Sequence, residues 1–489
     1  MILIVMIAIP LVVAGIALLV RYRRTMEWAV AAGGVGVLVC AVILLAQVMI
    51  EGTIQALDGF LEVDALAAFT ILTVALVSCT ASIHSVGYMR YVLGESVEDQ
   101  TRLHRYYALQ ALFIATMLAS PAMSNLGMYL IAIELTTIVS TFLVSFERTH
   151  ESLEAGWKYI VIVSAGISLA LLGTILLYYA GVGVLGPVYS LDWRTLMDVA
   201  PQLDADLLKV VFLLVLIGYG TKVGLAPMHT WLPDAHSEAP SPVSALLSGA
   251  LLNTAMFGIL RFYTIVALSG GATYARVLLI IAGLLSMAIA AFAIVQQRDA
   301  KRLLAYSSVE HMGIIAVGFG FGGTLGYFGA LLHMLNHSLA KSLMFYGAGN
   351  VLRRYGTKEI GKITGLIRVM PVTGSFWMLG GLAILGAPPF SLFISEFAIL
   401  SAGFLQQMWV PSLLFLFLLL VVFVAFFSYM NTMVFGRPPE QSPRGELNGW
   451  TVVPLALSFI PVIWLGLYIP DTVQQVLDRV IAIFPGGPL

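Results

Sequence analysis

Charge is what this 489-residue chain has least of. Asp, Glu, Lys and Arg make up 10% of it against 60% hydrophobic residues, and 25 basic residues nearly balance 26 acidic ones for a net charge of −1. That balance offers no electropositive face to nucleic acid and nothing to an acidic substrate. Cysteine is almost missing too. Cys40 and Cys79 lie inside apolar runs without Cys-x-x-Cys or Cys/His spacing, so neither a disulfide framework nor a metal or iron–sulfur site is supported, and we read no cofactor bound by this chain. No polar stretch is long enough for a soluble domain. A small-residue cleavage site is also lacking: the first apolar run leads into Arg21, Arg23 and Arg24, which reads as a retained helix and not a signal peptide.

What the chain has in abundance is apolar runs of membrane-spanning length. They begin near Ile2, Trp28, Val63, Tyr106, Met123, Trp157, Leu207, Ser241, Tyr274, Arg302, Gly326, Thr373, Val410 and Thr451. An all-α polytopic membrane protein of about fourteen transmembrane helices is predicted. Alternating the loops between two sides gathers 18 basic residues on one side and leaves 5 opposite, Arg194, Lys209, Arg261, Arg276 and Arg479. The positive-inside rule makes the first side cytoplasmic and puts both termini outside, in a multi-pass cell-membrane protein.

Lys222 and Lys341 belong to neither side; they fall within apolar runs, as do Glu134, Glu310 and Glu396. Each such group costs about 2.5–3.5 kcal/mol at the centre of a spanning helix, so by default it faces protein or water and serves an ion pathway. Lys341 closes a row with His333 and His337 at i, i+4, i+8 in GALLHMLNHSLAKSLMFYGAGN, which stacks all three on one helix face. Two spans are marked for interruption, the seventh by Pro227 and Pro233 after Lys222, and the twelfth by Pro388 and Pro389 before Glu396. Corresponding broken helices point to inverted repeats, here spans 4–8 and 9–13. The division is then 1–105 for the first three helices, 106–266 and 267–436 for the repeats, and 437–489 for the last helix and tail. Each break should adjoin a hydrated cavity.

The stretches GYGTKVGLAPMHTWLPDAHSEAPSPVSALLSG, QQRDAKRLLAYSSVEHMG and LLHMLNHSLAKSLMFYGAGNV resemble the antiporter-like subunits of respiratory complex I, the group 4 membrane-bound hydrogenases and the Mrp antiporters. Within that superfamily AYSSVEHMG and HMLNHSLAKSLMF are most similar to the F-type subunit of hydrogenase-4 assemblies. The resemblance implies a midplane chain of buried charges. Glu134 and Lys222 would form an input pair, Lys341 with His333 and His337 the centre, and Glu396 the terminal station. Where many relatives carry a lysine on the eighth span this chain has Asn253, which cannot hold a proton. Water held by Asn253, Ser248 and Thr254 would have to bridge the gap, with Glu310 and His311 as further ionisable steps.

Burial disfavours the charged form of lysine and carboxylate alike, and an opposite charge nearby restores it, so a movable Glu134–Lys222 pair is a proton switch. His229 and His236 suit either cytoplasmic proton intake or capping of the first break; Lys301 and Arg302 read as topology-setting flanks. The expected function is a proton-translocating subunit of a redox-driven complex, moving H+ or Na+. Its partners would be other membrane-arm subunits and a peripheral redox module, with iron–sulfur clusters, and a NiFe centre in the hydrogenase case. The alternatives are a subunit of an Mrp-type Na+/H+ antiporter without electron transfer, and a membrane scaffold.

Overall fold

The computed structural model describes the chain apart from residues 21, 95, 440–442 and 487–489. Arg21 and part of the loop after the thirteenth predicted span thus lie outside the described residues.

Helices α1 (Ile2–Leu19) and α2 (Arg23–Glu51) precede a hairpin of β1 (Ile54–Ala56) and β2 (Leu61–Val63), paired Ile54 to Val63. Then come α3 (Ala65–Val92), α4 (Val97–Ala119), α5 (Leu126–Val144), α6 (His150–Leu185), the short α7 (Trp193–Val199), α8 (Ala205–Val223), α9 (Trp231–Glu238) and α10 (Ser241–Leu246). A π-helical turn, Leu247–Leu251, joins α10 to α11 (Leu252–Val266). The second half holds α12 (Ala272–Val295), α13 (Ala300–Phe321), α14 (Gly323–Tyr355), short α15 (Leu366–Val369), α16 (Pro371–Ile384), α17 (Ser391–Leu405) and α18 (Trp409–Phe435). The chain closes with α19 (Gly449–Leu467) and the amphipathic α20 (Asp471–Ile481). Side chains start many of these helices by accepting from free first-turn N–H groups: Asp64 for α3, Ser96 for α4, Asn125 for α5, Asp204 for α8 and Asp299 for α13. The start of α4 at Val97 puts the 105/106 boundary inside a helix; its charged first turns concealed that start.

Nine helical stretches among the described residues are long and apolar enough to cross a membrane, one of them, Ser241–Val295, turning at Gly270 with φ 97°. Burial separates the middle of the bundle from its rim. In α13, 94% of the apolar window is buried and in α3 83%, against 28% in α18. The polar residues of α10, α11, α13 and α14 are consequently enclosed by apolar helices, as costly groups in a membrane protein must be.

Both predicted interruptions are present. The first lies between α8 and α9, where Gly224 turns left-handed (φ 82°) ahead of Pro227, and the second between α16 and α17, where Gly386 (φ 63°) precedes Pro388 and Pro389. At the first, Trp231 Nε1 donates to the Thr221 carbonyl at 2.7 Å and Ser286 Oγ accepts from Ala226 N at 2.9 Å. Asn336 Nδ2 donates to the Ser391 carbonyl beside the second, at 2.9 Å. The freed backbone is thereby partnered. Cavities of about 410 Å³ and 290 Å³ border the two breaks. Both are lined mainly by apolar side chains, and only the second exposes an ionisable group, Glu396.

Ion pairs tie the loops together at each end of the bundle. At one end Arg90 meets Glu27, Arg302 and Lys158 share Asp234, Lys358 meets Glu238 and Arg353 meets Glu147. Lys301 belongs here but is no exposed flank. It is 2% exposed and its Nζ donates to the Ala239 carbonyl at the end of α9, 2.5 Å away. At the other end Arg194 pairs with Glu62. Arg261, assigned from sequence to a loop, is instead inside α11. It is buried against Trp193 (3.9 Å to the ring centre) and bidentate to Asp64, a geometry suited to a guanidinium out of water.

Candidate functional site

Glu134 stands mid-helix on α5, half-buried, and Lys222 is fully buried in the last turn of α8. The structure brings them close but not into direct contact. Thr137, one turn beyond Glu134, donates its hydroxyl to Glu134 Oε2 at 3.2 Å and accepts from Lys222 Nζ. Ser164 of α6 donates to Glu134 Oε1 at 2.5 Å, and Lys222 Nζ lies 5.8 Å from the centre of the Tyr159 ring. The side-by-side ion pair expected from sequence is therefore a carboxylate–hydroxyl–ammonium triad. Threonine is too common in apolar helices for Thr137 to have been singled out.

Asn253 points its amide at α14, donating to Ser338 Oγ at 2.7 Å and the Met334 carbonyl at 3.1 Å, with Oδ1 unpartnered. Thr254 turns back to the Ala250 carbonyl of its own helix. The three residues expected to share one water group thus diverge. Ser248, in the π-helical turn, reaches Ser308 of α13 at 2.8 Å; Ser308 donates to the Leu304 carbonyl, and so does Lys341 Nζ, at 2.9 Å. Ser248 and Ser308 thus join the eighth predicted span to the carbonyl that also accepts from Lys341, with no hydrogen bond to the lysine itself among the described residues. No hydrogen bond among the described residues joins this group to Lys222.

His333, His337 and Lys341 do share one buried face of α14. His311 of α13 comes between the first two. Its Nδ1 is 2.9 Å from His333 Nε2, and its ring centre is 5.3 Å from that of His337. His333 Nδ1 continues to Ser395 Oγ of α17 at 2.9 Å, next to Glu396. Donor atoms of His311, His333 and Glu396 lie within 4.8 Å of one another. The hydrogen bond between His311 and His333 accounts for the approach of those two, Glu396 lies beside them, and no sequence spacing marks the three as metal ligands. A neutral imidazole offers one donor and one acceptor, so this row can hand on a proton by exchanging tautomers. Glu310, beside His311, is 3% exposed and forms no ion pair with Lys341. A Cβ at Gly386 would overlap the Glu396 carboxylate, so only glycine lets the second break pass so close.

The two histidines near the first break do not cap it. His229 is buried with Nδ1 unpartnered and its ring 6.4 Å from Tyr306; His236 lies between Trp231 and Phe345 with neither nitrogen bonded. Trp231 and Ser286 do the work that sequence reasoning offered them.

Residues 122–430 match the family model described as NADH:quinone oxidoreductase/Mrp antiporter, TM. The chain is 38% identical over 419 residues to a hydrogenase-4 component F homolog of Methylacidiphilum infernorum, covering 85% of this chain and 87% of that one. It is 34% identical to hydrogenase-4 component B of Escherichia coli over 69% of its own length and only 50% of that longer relative. A chain of the membrane-bound sulfane sulfur reductase, an archaeal respiratory membrane complex, superposes with a TM-score of 0.87 over 98% of this chain and 97% of that one, at 24% identity. That last likeness is one of fold.

Proposed function

From the premise that this chain belongs to the NADH:quinone oxidoreductase/Mrp antiporter transmembrane family, of which it is an antiporter-like membrane subunit, we propose that it conducts protons in a redox-driven complex of the hydrogenase-4 type. The supporting observation is the placement of ionisable and hydroxyl groups along the enclosed middle of the bundle, from Glu134, Thr137 and Lys222 through Lys341 to His311, His333 and Glu396. In this reading Thr137 passes the influence of Glu134 to Lys222. When Glu134 is charged, Lys222 keeps its proton; when Glu134 is neutralised, Lys222 releases it towards Ser248 and Ser308. The histidine row then carries a proton to Ser395 and Glu396. Helices α4–α11 and α12–α18 would be the two inverted repeats of a fourteen-span protein, with the end that carries Arg90, Asp234 and Arg353 cytoplasmic and both termini outside. Electrons would pass through partner subunits carrying iron–sulfur clusters and, in a hydrogenase, a NiFe centre; the partners supply that chemistry and this chain only the ion path.

The test is to isolate the assembled complex, identify the subunits that accompany the chain, and measure electron transfer and proton uptake separately in vesicles. Lys222→Met should leave assembly intact and lower proton uptake by about tenfold or more, as loss of a group used only in turnover does. Substantial uptake by Lys222→Met would overturn the mechanism. Accompaniment by small Mrp-type subunits without redox proteins would move the chain to the antiporter reading.

A further inference from the structure

Beyond the ion path, the rim of the bundle carries a polar cup and an apolar groove whose linings adjoin at Gln296 and Val295. The cup, about 590 Å³, lies where α12 ends and α13 begins, and is closed by the 357–359 loop. Its cations are Arg298, Arg302 and Lys358, its acids Asp299 and Glu359. The floor is fixed by backbone bonds from Ala300 N to the Lys358 carbonyl and from Ile360 N to the Arg298 carbonyl, each 2.8 Å. The groove, about 550 Å³, runs between α12 and α18 and is lined by Val295, Leu420, Val421, Val424 and Ala425. Tyr429 lines the groove and its hydroxyl donates to the carbonyl of Val295, the residue before Gln296 of the cup, at 2.6 Å, a position that suits a tyrosine at the boundary of headgroups and hydrocarbon.

The charges of the cup are unevenly committed. Asp299 already accepts from Lys301 N and Arg302 N, and Glu359 is paired with Lys362. Arg302 and Lys358 are shared with Asp234 and Glu238, while Arg298 is exposed and in no ion pair among the described residues. Three cations face two acids in the cup, and Arg298 is the cation left for one further anion. A zwitterionic choline headgroup would bring no net charge to match Arg298, whereas a glycerol headgroup brings a net phosphodiester charge and hydroxyls for Gln296. Basic cups between spanning helices at headgroup level favour anionic lipids for this reason.

We propose that cup and groove together bind one anionic phospholipid, its phosphodiester against Arg298, Arg302 and Lys358 and an acyl chain along Val421, Val424 and Ala425. The site depends on α12 and α18 spanning the membrane and not on the ion-conducting reading. It has a consequence for that reading, because Asp234 and Glu238 belong to α9, the short half of the first broken helix. Phosphate competing for Arg302 and Lys358 loosens the clamp on α9.

The whole complex, placed in nanodiscs of phosphatidylcholine with a minor share of phosphatidylglycerol, is re-isolated and its retained lipid counted by mass spectrometry. Phosphatidylglycerol should be enriched over its bulk share. Arg298→Gln should lower the enrichment about fivefold, the factor that roughly 1 kcal/mol per basic residue at an anionic surface corresponds to. Ala425→Trp, which fills the groove, should lower it similarly, and Arg437→Gln, an exposed cation elsewhere, should not. Free glycerol phosphate should fail to displace the lipid. No enrichment, enrichment unchanged in both Arg298→Gln and Ala425→Trp, or displacement by glycerol phosphate would each overturn the proposal, the last by reassigning the cup to a soluble phosphate. All three variants change rim residues, and an unchanged melting temperature of the complex verifies that each is folded.

Discussion

The two halves of the bundle are interrupted alike and equipped differently. In each a glycine in the left-handed region and prolines end a helix in the middle of the bundle, and a cavity lies beside the gap. In the first half the ionisable group, Lys222, comes before the break and is tied through one hydroxyl to a carboxylate. In the second half Glu396 comes after the break, on the cavity wall, beside a hydrogen-bonded row of two imidazoles, His311 and His333, that ends at Ser395. His337 is packed against His311, with neither of its nitrogens bonded among the described residues. A carboxylate and an ammonium stabilise one another's charge, so that site has two well-separated states and suits a switch. Imidazoles need no counter-charge to accept and release protons, and suit a conductor. On the proposed reading, one scaffold would hold a gate in one half and a wire in the other.

The sharpest way to break that contrast is to disable each half alone. Glu134→Gln with Lys222→Met should be no worse for proton uptake than Lys222→Met by itself, since groups acting as one unit are non-additive. His333→Ala should also lower uptake by about tenfold or more, by removing the bridge between His311 and Ser395. Uptake assays on wild type, Glu134→Gln, Lys222→Met, their double variant and His333→Ala decide the matter: additive losses in the Glu134/Lys222 double variant would make the triad structural, and full uptake by His333→Ala would remove the wire.

A smaller effect tests the bridge within the gate. Thr137→Val keeps the shape of the side chain and deletes the hydroxyl between Glu134 and Lys222, while Thr137→Ser keeps the hydroxyl. Leaving buried polar groups without a partner costs about 1–3 kcal/mol, so the valine variant should lose uptake several-fold and the serine variant should resemble wild type. Equal uptake by both would mean that Glu134 and Lys222 communicate without Thr137.

How much of this was legible in the sequence follows a physical division. Spans, breaks and the single face shared by His333, His337 and Lys341 are encoded along the chain, in runs of apolar residues, prolines and helical spacing. Contacts between helices are not. Nothing in AYSSVEHMG fixes the rotation of α13 that puts His311 between two histidines of α14. Lys301 looks like any residue flanking a span, yet it is drawn inside by the open carbonyl at the end of α9. Arg261 sits near the end of its apolar run, so a loop was the natural reading; its partner Asp64 is supplied from the far end of the β-hairpin.

The smallest expected effect concerns the junction of the halves. The family resemblance implies a lysine at the position of Asn253, which makes it the expected place for a water-filled link. In the structure its amide is spent on α14, and the single hydroxyl proton of Ser338, which it contacts, has the carbonyls of Gly249 and Met334 both within reach. Removing the amide therefore leaves the Met334 carbonyl with a partner. Asn253→Ala should cost the complex about 1 kcal/mol of stability, the worth of an ordinary hydrogen bond, and should change proton uptake little. Ser308→Ala should do the reverse, because Ser308 joins Ser248 to the carbonyl that holds Lys341; uptake should fall several-fold with the melting temperature nearly unchanged. Measuring both quantities on both variants separates a pin from a link. A larger uptake loss in Asn253→Ala than in Ser308→Ala would transfer the crossing between gate and wire to Asn253 and its unpartnered Oδ1.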